Sequence, residues 1–180
     1  MADYDLAILG GGPGGYVAAI RGAQLGLKTC IIEKDKLGGI CLNWGCIPTK
    51  ALLKNAEVYN TIKNADKYGI KVDKISVDFP ANIKRSRNVS NRLSKGIEFL
   101  MKKNRISHIS GTGKLTSNTT LEVKNGKMTE IIEAHKIIIA TGARPRSFPG
   151  MEIDGKRVIS SKEAMVLDAP PKKMIIIGSG

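Results

Sequence analysis

Tyr4-Asp5-Leu6-Ala7-Ile8-Leu9-Gly10-Gly11-Gly12-Pro13-Gly14-Gly15, continued through Leu25 and closed by Lys28-Thr29-Cys30-Ile31-Ile32-Glu33, decides the fold of this 180-residue chain. Tyr4–Leu9 and Lys28–Glu33 are short apolar runs and read as strands. Pro13–Leu25 reads as a helix, in whose first turn proline costs nothing because that N–H has no partner anyway. Strand, helix, strand in this order predicts a parallel pair with a right-handed crossover. Gly10-x-Gly12-x-x-Gly15 is a weak signal alone and a strong one between that strand and that helix. Gly10 permits the tight turn, Gly12 lets the backbone approach a pyrophosphate, and Gly15 lets helix and strand pack closely. The helix start, with Pro13 and Gly14, offers free N–H groups and a partial positive charge. Glu33, followed by Lys34, ends the second strand. Its carboxylate suits a ribose hydroxyl and repels a 2′-phosphate, which argues against NADP. The glycines do not distinguish NAD from FAD, and a glycine-rich turn without ligand is the plainer alternative.

Downstream stands Gly38-Gly39-Ile40-Cys41-Leu42-Asn43-Trp44-Gly45-Cys46-Ile47-Pro48-Thr49-Lys50. Cys41 and Cys46, five positions apart in a glycine-rich turn, can close a small disulfide ring. Cys46 falls at a helix start, where a thiolate is favoured and an exchanging disulfide suits the place better than a structural staple. Lys50, four residues on, shares its helix face. Zinc needs further ligands. His108 and His135 are isolated in β-like runs, so no metal is expected. Cys30, inside an apolar run, reads as a small buried hydrophobe, and three cysteines are too few for a secreted disulfide framework.

Further along, a loop over Lys34–Gly45 leads to a helix near Ile47–Asn64, and a second helix covers Pro80–Lys103. Ile106–Ile109, Leu121–Lys124 and Met128–Ala134, around the turn signal Asn125-Gly126, read as a small antiparallel meander. His135–Ala140 reads as another buried strand, closed by Thr141-Gly142. Met174-Ile175-Ile176-Ile177-Gly178-Ser179-Gly180 repeats the Leu6–Gly12 pattern, and the prolines at 170 and 171 precede it as a linker would. The fold class expected is α/β, a Rossmann-like parallel sheet with a small antiparallel meander. Its divisions are a dinucleotide-binding domain over 1–150, a linker over 151–172, and the first strand of a second dinucleotide domain over 173–180. The chain is expected to be the N-terminal piece of a longer protein.

Composition removes other classes. Hydrophobic residues make up 42%, enough for a core, and twenty glycines without a G-X-Y period are not collagen. No apolar run reaches bilayer-spanning length, and MADYDLAILGGG lacks the basic start of a signal peptide, so the cytoplasm is the expected compartment. The net charge of +13 invites a nucleic-acid reading, but aromatics are only 4% and the basic residues are dispersed. Their densest stretch, Lys84–Arg105, reads as the solvated face of a helix.

Cys41–Lys50, C-L-N-W-G-C-I-P-T-K, placed behind that phosphate loop, closely resembles the redox motif of the FAD-dependent pyridine nucleotide–disulfide oxidoreductases, and the resemblance covers the whole chain. It implies that the first dinucleotide unit, with Gly39 at its margin, binds FAD. It implies that Cys46 is the thiol nearest the flavin, that Cys41 exchanges with substrate, and that Lys50 lies beside the flavin ring. Thr112 and Gly113 match the family's loop near the adenine. Ala140, Thr141 and Gly142 match the loop that returns to the flavin. Ile47 and Thr49 look more like the lipoamide branch than the glutathione branch, while Trp44 stands where the family often has valine. The implied full-length reaction passes electrons from dihydrolipoamide, carried on an acyltransferase lipoyl domain, to the disulfide, to FAD and to NAD+. The implied assembly is a homodimer formed through a C-terminal domain that also supplies the acid/base pair. This chain alone is then expected to hold FAD weakly and not to turn over. Glutathione or mercuric reductases, which share the two cysteines, and a stand-alone flavin-binding or interaction module are the alternatives. Neither nucleic acid nor a membrane is an expected partner.

Overall fold

The structure, a computed structural model, describes residues 2–178. Its frame is a six-stranded sheet in the order β3-β2-β1-β6-β5-β4, with β1 Tyr4–Leu9, β2 Thr29–Glu33, β3 Ser107–Ser110, β4 Thr112–Leu115, β5 Thr120–Asn125 and β6 Met128–Ile139. β1 pairs in parallel with β2 on one side and with the C-terminal half of β6 on the other. β5 pairs antiparallel with both β4 and the N-terminal half of β6. One strand therefore belongs to the parallel sheet and to the meander at once.

Alternate side chains of β1 and β2 point to opposite faces, and both faces are covered, which is why both runs are almost wholly apolar. Leu6, Ile8 and Ile31 join Ala19, Leu37, Leu42, Ile97 and Met101 on the helical side. Ala7, Leu9, Cys30 and Ile32 join Leu121, Val123, Ile132 and Ala134 on the meander side. The result is three layers: helices, parallel sheet, meander. The helical layer contains α1 Pro13–Gln24, α2 Gly39–Trp44, α3 Cys46–Lys63 and α4 Phe79–Lys103. Asp78 caps α4 by accepting from the Ala81 N–H at 2.9 Å. A short fifth helix, α5 Ser161–Ala164, is held by a capping box between Ser160 and Glu163.

Four expectations change. Sequence pattern puts Ile106–Ile109 in the meander, but Ser107–Ser110 pairs in parallel with β2, because α4 acts as a crossover that returns the chain to the sheet edge. Met128–Ala134 and His135–Ala140 are one strand, and Ile138 and Ile139 at its end are exposed because nothing described here covers their outer side. Within the predicted loop 34–45, residues 39–44 form α2. Met174–Ile177 is not a strand: it lies beside no other strand, and Ile175 is 90% exposed. Ser179 and Gly180, the rest of the repeated glycine pattern, lie outside the described residues. No helix among the described residues is long and apolar enough to cross a membrane.

Candidate dinucleotide and dithiol site

The phosphate loop leaves β1 at its C-terminal end, where open α/β sheets bind ligands. Gly10 has φ +111°, and a Cβ there would lie 2.2 Å from the Ala140 carbonyl oxygen. Ala140 in turn donates its N–H to the Leu9 carbonyl at 2.8 Å. A Cβ on Gly15 would lie 1.8 Å from the Gly10 oxygen, so this glycine is required by packing between α1 and the loop. Gly12 and Gly14 differ. A Cβ at either meets no protein atom nearer than 3.8 Å and 4.0 Å respectively. Gly12 caps α1 with no side-chain hydrogen bond, and the first turn carries no acidic residue. Free N–H groups with open space before them are what a pyrophosphate needs, so these residues fit a dinucleotide.

Glu33 has a duty within the protein itself. Its Oε2 accepts the Gly11 N–H at 2.7 Å and its Oε1 accepts the Asp35 N–H at 2.9 Å, fixing the loop to the end of β2. Gly111 donates its backbone N–H to the Glu33 carbonyl at 2.9 Å. Gly113 packs so closely on Leu9 that a Cβ would lie 2.5 Å from that side chain. Gly10–Gly15, Glu33, Thr112, Gly113 and Ala140 therefore meet at one end of the sheet. Lys34, Thr141 and Gly142 follow these elements and are exposed.

The cysteine segment is bound to the same loop. Gly38 donates its N–H to the Gly11 carbonyl at 2.8 Å. Gly39 has φ +57°, and a Cβ on it would lie 2.6 Å from Gly12 Cα. Cys41 lies in α2, and Cys46 is the first residue of α3. The Cys41 thiol is half-buried, the Cys46 thiol exposed, and both are free. The Cys41 thiol is raised above its ordinary pKa, first by its hydrogen bond to the Cys46 side chain, then by burial and by the charge of Cys46. The Cys46 N–H and the Lys50 ammonium oppose that shift. The two thiols are thus neighbours within hydrogen-bonding reach, with Lys50 the cation acting on them. Cys30 is fully buried and pushed up to about 12, mainly by burial, which makes it inert.

A set of polar residues that sequence reasoning missed supports this segment. Asn43, buried in α2, donates to the Leu37 and Gly39 carbonyls at 3.2 and 3.0 Å. Ser94 of α4 donates to the Leu37 carbonyl and lies 3.2 Å from Asn43 Oδ1. Arg87 of α4 donates from Nη1 to the Asn43 carbonyl at 2.6 Å. The available sequence signals are an asparagine between the two cysteines and serines at 86, 90 and 94, four apart on one helix face. Among the described residues no group of three or more His, Cys, Asp or Glu side chains is arranged to hold a metal ion.

Residues 4–180 match the family described as pyridine nucleotide-disulphide oxidoreductase. The chain belongs to this family. Among its similar curated relatives are proteins named dihydrolipoyl dehydrogenase. The one from Zymomonas mobilis is 52% identical over 182 residues, covering 100% of this chain and 39% of the relative. The one from Chlorobaculum parvum is 48% identical over 180 residues, covering 99% and 38%. The mitochondrial one from Schizosaccharomyces pombe is 48% identical over 182 residues, covering 99% and 36%. The chain spans about two-fifths of the length of the curated relatives it matches. Pyridine nucleotide-disulphide oxidoreductases of this kind are FAD-dependent and use NAD as the second nucleotide.

Proposed function

We propose that this chain is the FAD-binding, dithiol-bearing portion of a dihydrolipoyl dehydrogenase. The observation that carries the reading is the attachment of the cysteine segment to the phosphate loop, through Gly38 to Gly11 and Gly39 against Gly12. One cradle then holds both the cofactor's pyrophosphate and the exchanging thiols. Gly10, Gly12, Pro13, Gly14 and Gly15 form the pyrophosphate cradle, with Gly39 at its edge. Glu33 and Lys34 border the ribose, Thr112 and Gly113 the adenine side, and Ala140, Thr141 and Gly142 the flavin side. Lys50 supplies a cation beside the dithiol. FAD, when bound, supplies the two-electron relay from the reduced cysteine pair to NAD+.

The chain's own chemistry is thiol–disulfide exchange. In the oxidised pair, a substrate thiolate attacks Cys41 Sγ. The Cys41–Cys46 S–S bond breaks, and Cys46 leaves as a thiolate at the start of α3. The second substrate group, still a thiol, then attacks the substrate sulfur bound to Cys41 and passes its proton to Cys41 Sγ. This breaks the mixed disulfide, releases the cyclic disulfide product and returns Cys41 as a thiol. Two electrons and one proton have moved from the substrate to the cysteine pair.

The full-length protein, in this reading, acts as a homodimer on lipoyl groups carried by an acyltransferase and works in the cytoplasm. Residues 1–150 form its FAD domain, 151–172 a linker, and 173–180 the entry to an NAD domain. The test uses purified chain with added FAD. Flavin should remain bound after gel filtration, thiol titration should show a reversible Cys41–Cys46 disulfide, and no NADH should form from dihydrolipoamide. Loss of all flavin together with no Cys41–Cys46 disulfide sinks the reading.

A further inference from the structure

We propose that Arg87 is a positioning residue for the Cys41–Cys46 pair, holding the turn between α2 and α3 and placing a fixed positive charge at the end of α2. The inference rests on the redox reading above. The geometry is threefold. Arg87 Nη1 donates to the Asn43 carbonyl at 2.6 Å, within the last turn of α2. Its guanidinium carbon lies 4.8 Å from the centre of the Trp44 ring. Its Nη2 is 3.5 Å from Ser90 Oγ on its own helix. Arg87 thereby grips the two residues that precede Gly45 and Cys46, from a helix more than forty residues away in sequence.

The charge matters because two helix ends meet at Gly45. The N-terminus of α3 favours a thiolate at Cys46, whereas the carbonyl end of α2 opposes it. A guanidinium bonded to one of those carbonyls offsets the opposing end. Arginine keeps its charge even where burial lowers its pKa, as here. The other cations facing the pair come from different elements. Lys50 of α3 acts on Cys41, and Lys162 of α5 lies 4.7 Å from the centre of the same Trp44 ring. Arg85, the neighbouring cation on α4, is engaged elsewhere, on the Ala51 carbonyl and Asn55 of α3. Lys162 is exposed and donates to no backbone carbonyl of α2, so among the described residues Arg87 alone combines charge with a hydrogen bond into the turn.

The experiment follows alkylation of each cysteine by iodoacetamide against pH, resolved by peptide mass, in the reduced full chain and in Arg87→Gln and Arg87→Lys. Cys30, buried in the sheet, reports whether each variant is folded. Arg87→Gln keeps a polar, neutral side chain but loses both the charge and the reach of Nη1 to the Asn43 carbonyl. We expect it to slow Cys46 alkylation at neutral pH about threefold, moving the profile up by about half a pH unit. Arg87→Lys retains the charge and should stay within about twofold of the parent. A Cys46 profile in Arg87→Gln that superimposes on the parent, with Cys30 still protected, overturns the proposal. If Arg87→Gln exposes Cys30, the Lys variant decides: a shifted Cys46 profile with Cys30 protected overturns the role of charge, and an unshifted one upholds it. Oxidation of the parent chain in glutathione buffer separates the two readings, because failure to form the Cys41–Cys46 disulfide there counts against the redox function and not against the role of Arg87.

Discussion

At Gly15 a single added methyl group would strike the Gly10 carbonyl oxygen, whereas at Gly12 it would meet the protein only at Gly39 Cα, at an unstrained 3.8 Å. The two glycines of one motif therefore predict opposite phenotypes. Gly15→Ala should destabilise the chain by about 2–3 kcal/mol in urea denaturation, as overpacking against a rigid backbone does. Gly12→Ala should leave stability within about 0.5 kcal/mol yet reduce flavin retention at least about tenfold, a loss of about 1.4 kcal/mol in binding. Cys30 yields a pH prediction. Its folded pKa of about 12 lies above the ordinary value of 9.0, so the unfolded chain loses this proton first as pH rises. Its contribution is intact below about pH 9 and declines above it by about 1.4 kcal/mol per pH unit. Denaturation of parent and Cys30→Ala chains at pH 8, 9.5 and 10.5 should show the parent losing stability faster over the upper interval. Gly10, Gly15 and the cysteine pair were legible from residue type and spacing, because their jobs are local. Asn43, Ser94 and Arg87 were not, because they act on backbone carbonyls of distant segments, and no spacing encodes such a partner.

Elements show the same division between local and distant causes. The end of α4 is closed by two backbone bonds, Ile106 N–H to Met101 and Arg105 N–H to Lys102, at 2.9 and 3.0 Å. Arg105 sits between them at φ +54°, the left-handed position usually given to glycine. Arg105→Gly should raise stability by about 0.5–1 kcal/mol, the relief of left-handed strain exceeding the added freedom of the unfolded chain. A thermal scan should then show a midpoint higher by about 2–4 °C. The positions of β1, α1, β2 and α4 were readable within a residue or so, since each carries its own period and end signals. Pairing was not: Ser107–Ser110 has the composition of an edge strand in either sheet, and only the crossover through α4 assigns it. Nor does anything between Ala134 and His135 mark where β6 passes from an antiparallel to a parallel neighbour.

Over the whole molecule, charge and apolar exposure point to different remedies for association. Two ion pairs, Lys54–Glu57 and Lys124–Glu122, are present among the described residues, against a formal charge of +13. The first is exposed on both sides and the second on its lysine side, and both contribute little. Ile175, Ile176 and Ile177 stand 90, 80 and 72% exposed, an apolar run of the kind that drives self-association. Replacing Ile175 and Ile176 by lysine should shift sedimentation at moderate concentration toward the monomer without lowering the unfolding midpoint.

Membership of β6 in both sheets bears on how the protein emerges from the ribosome. Leu9 pairs with Ile139, so the wall of the phosphate loop that Ala140 supplies is synthesised some 130 residues after the loop itself. At about 5–20 residues per second that interval is roughly ten seconds. Throughout it the nascent chain exposes the apolar edge of β1 with its eventual neighbour not yet made. Cofactor capture must follow the arrival of β6, because until then the newborn chain lacks both the second neighbour of β1 and Ile132 and Ala134 of the meander-side core.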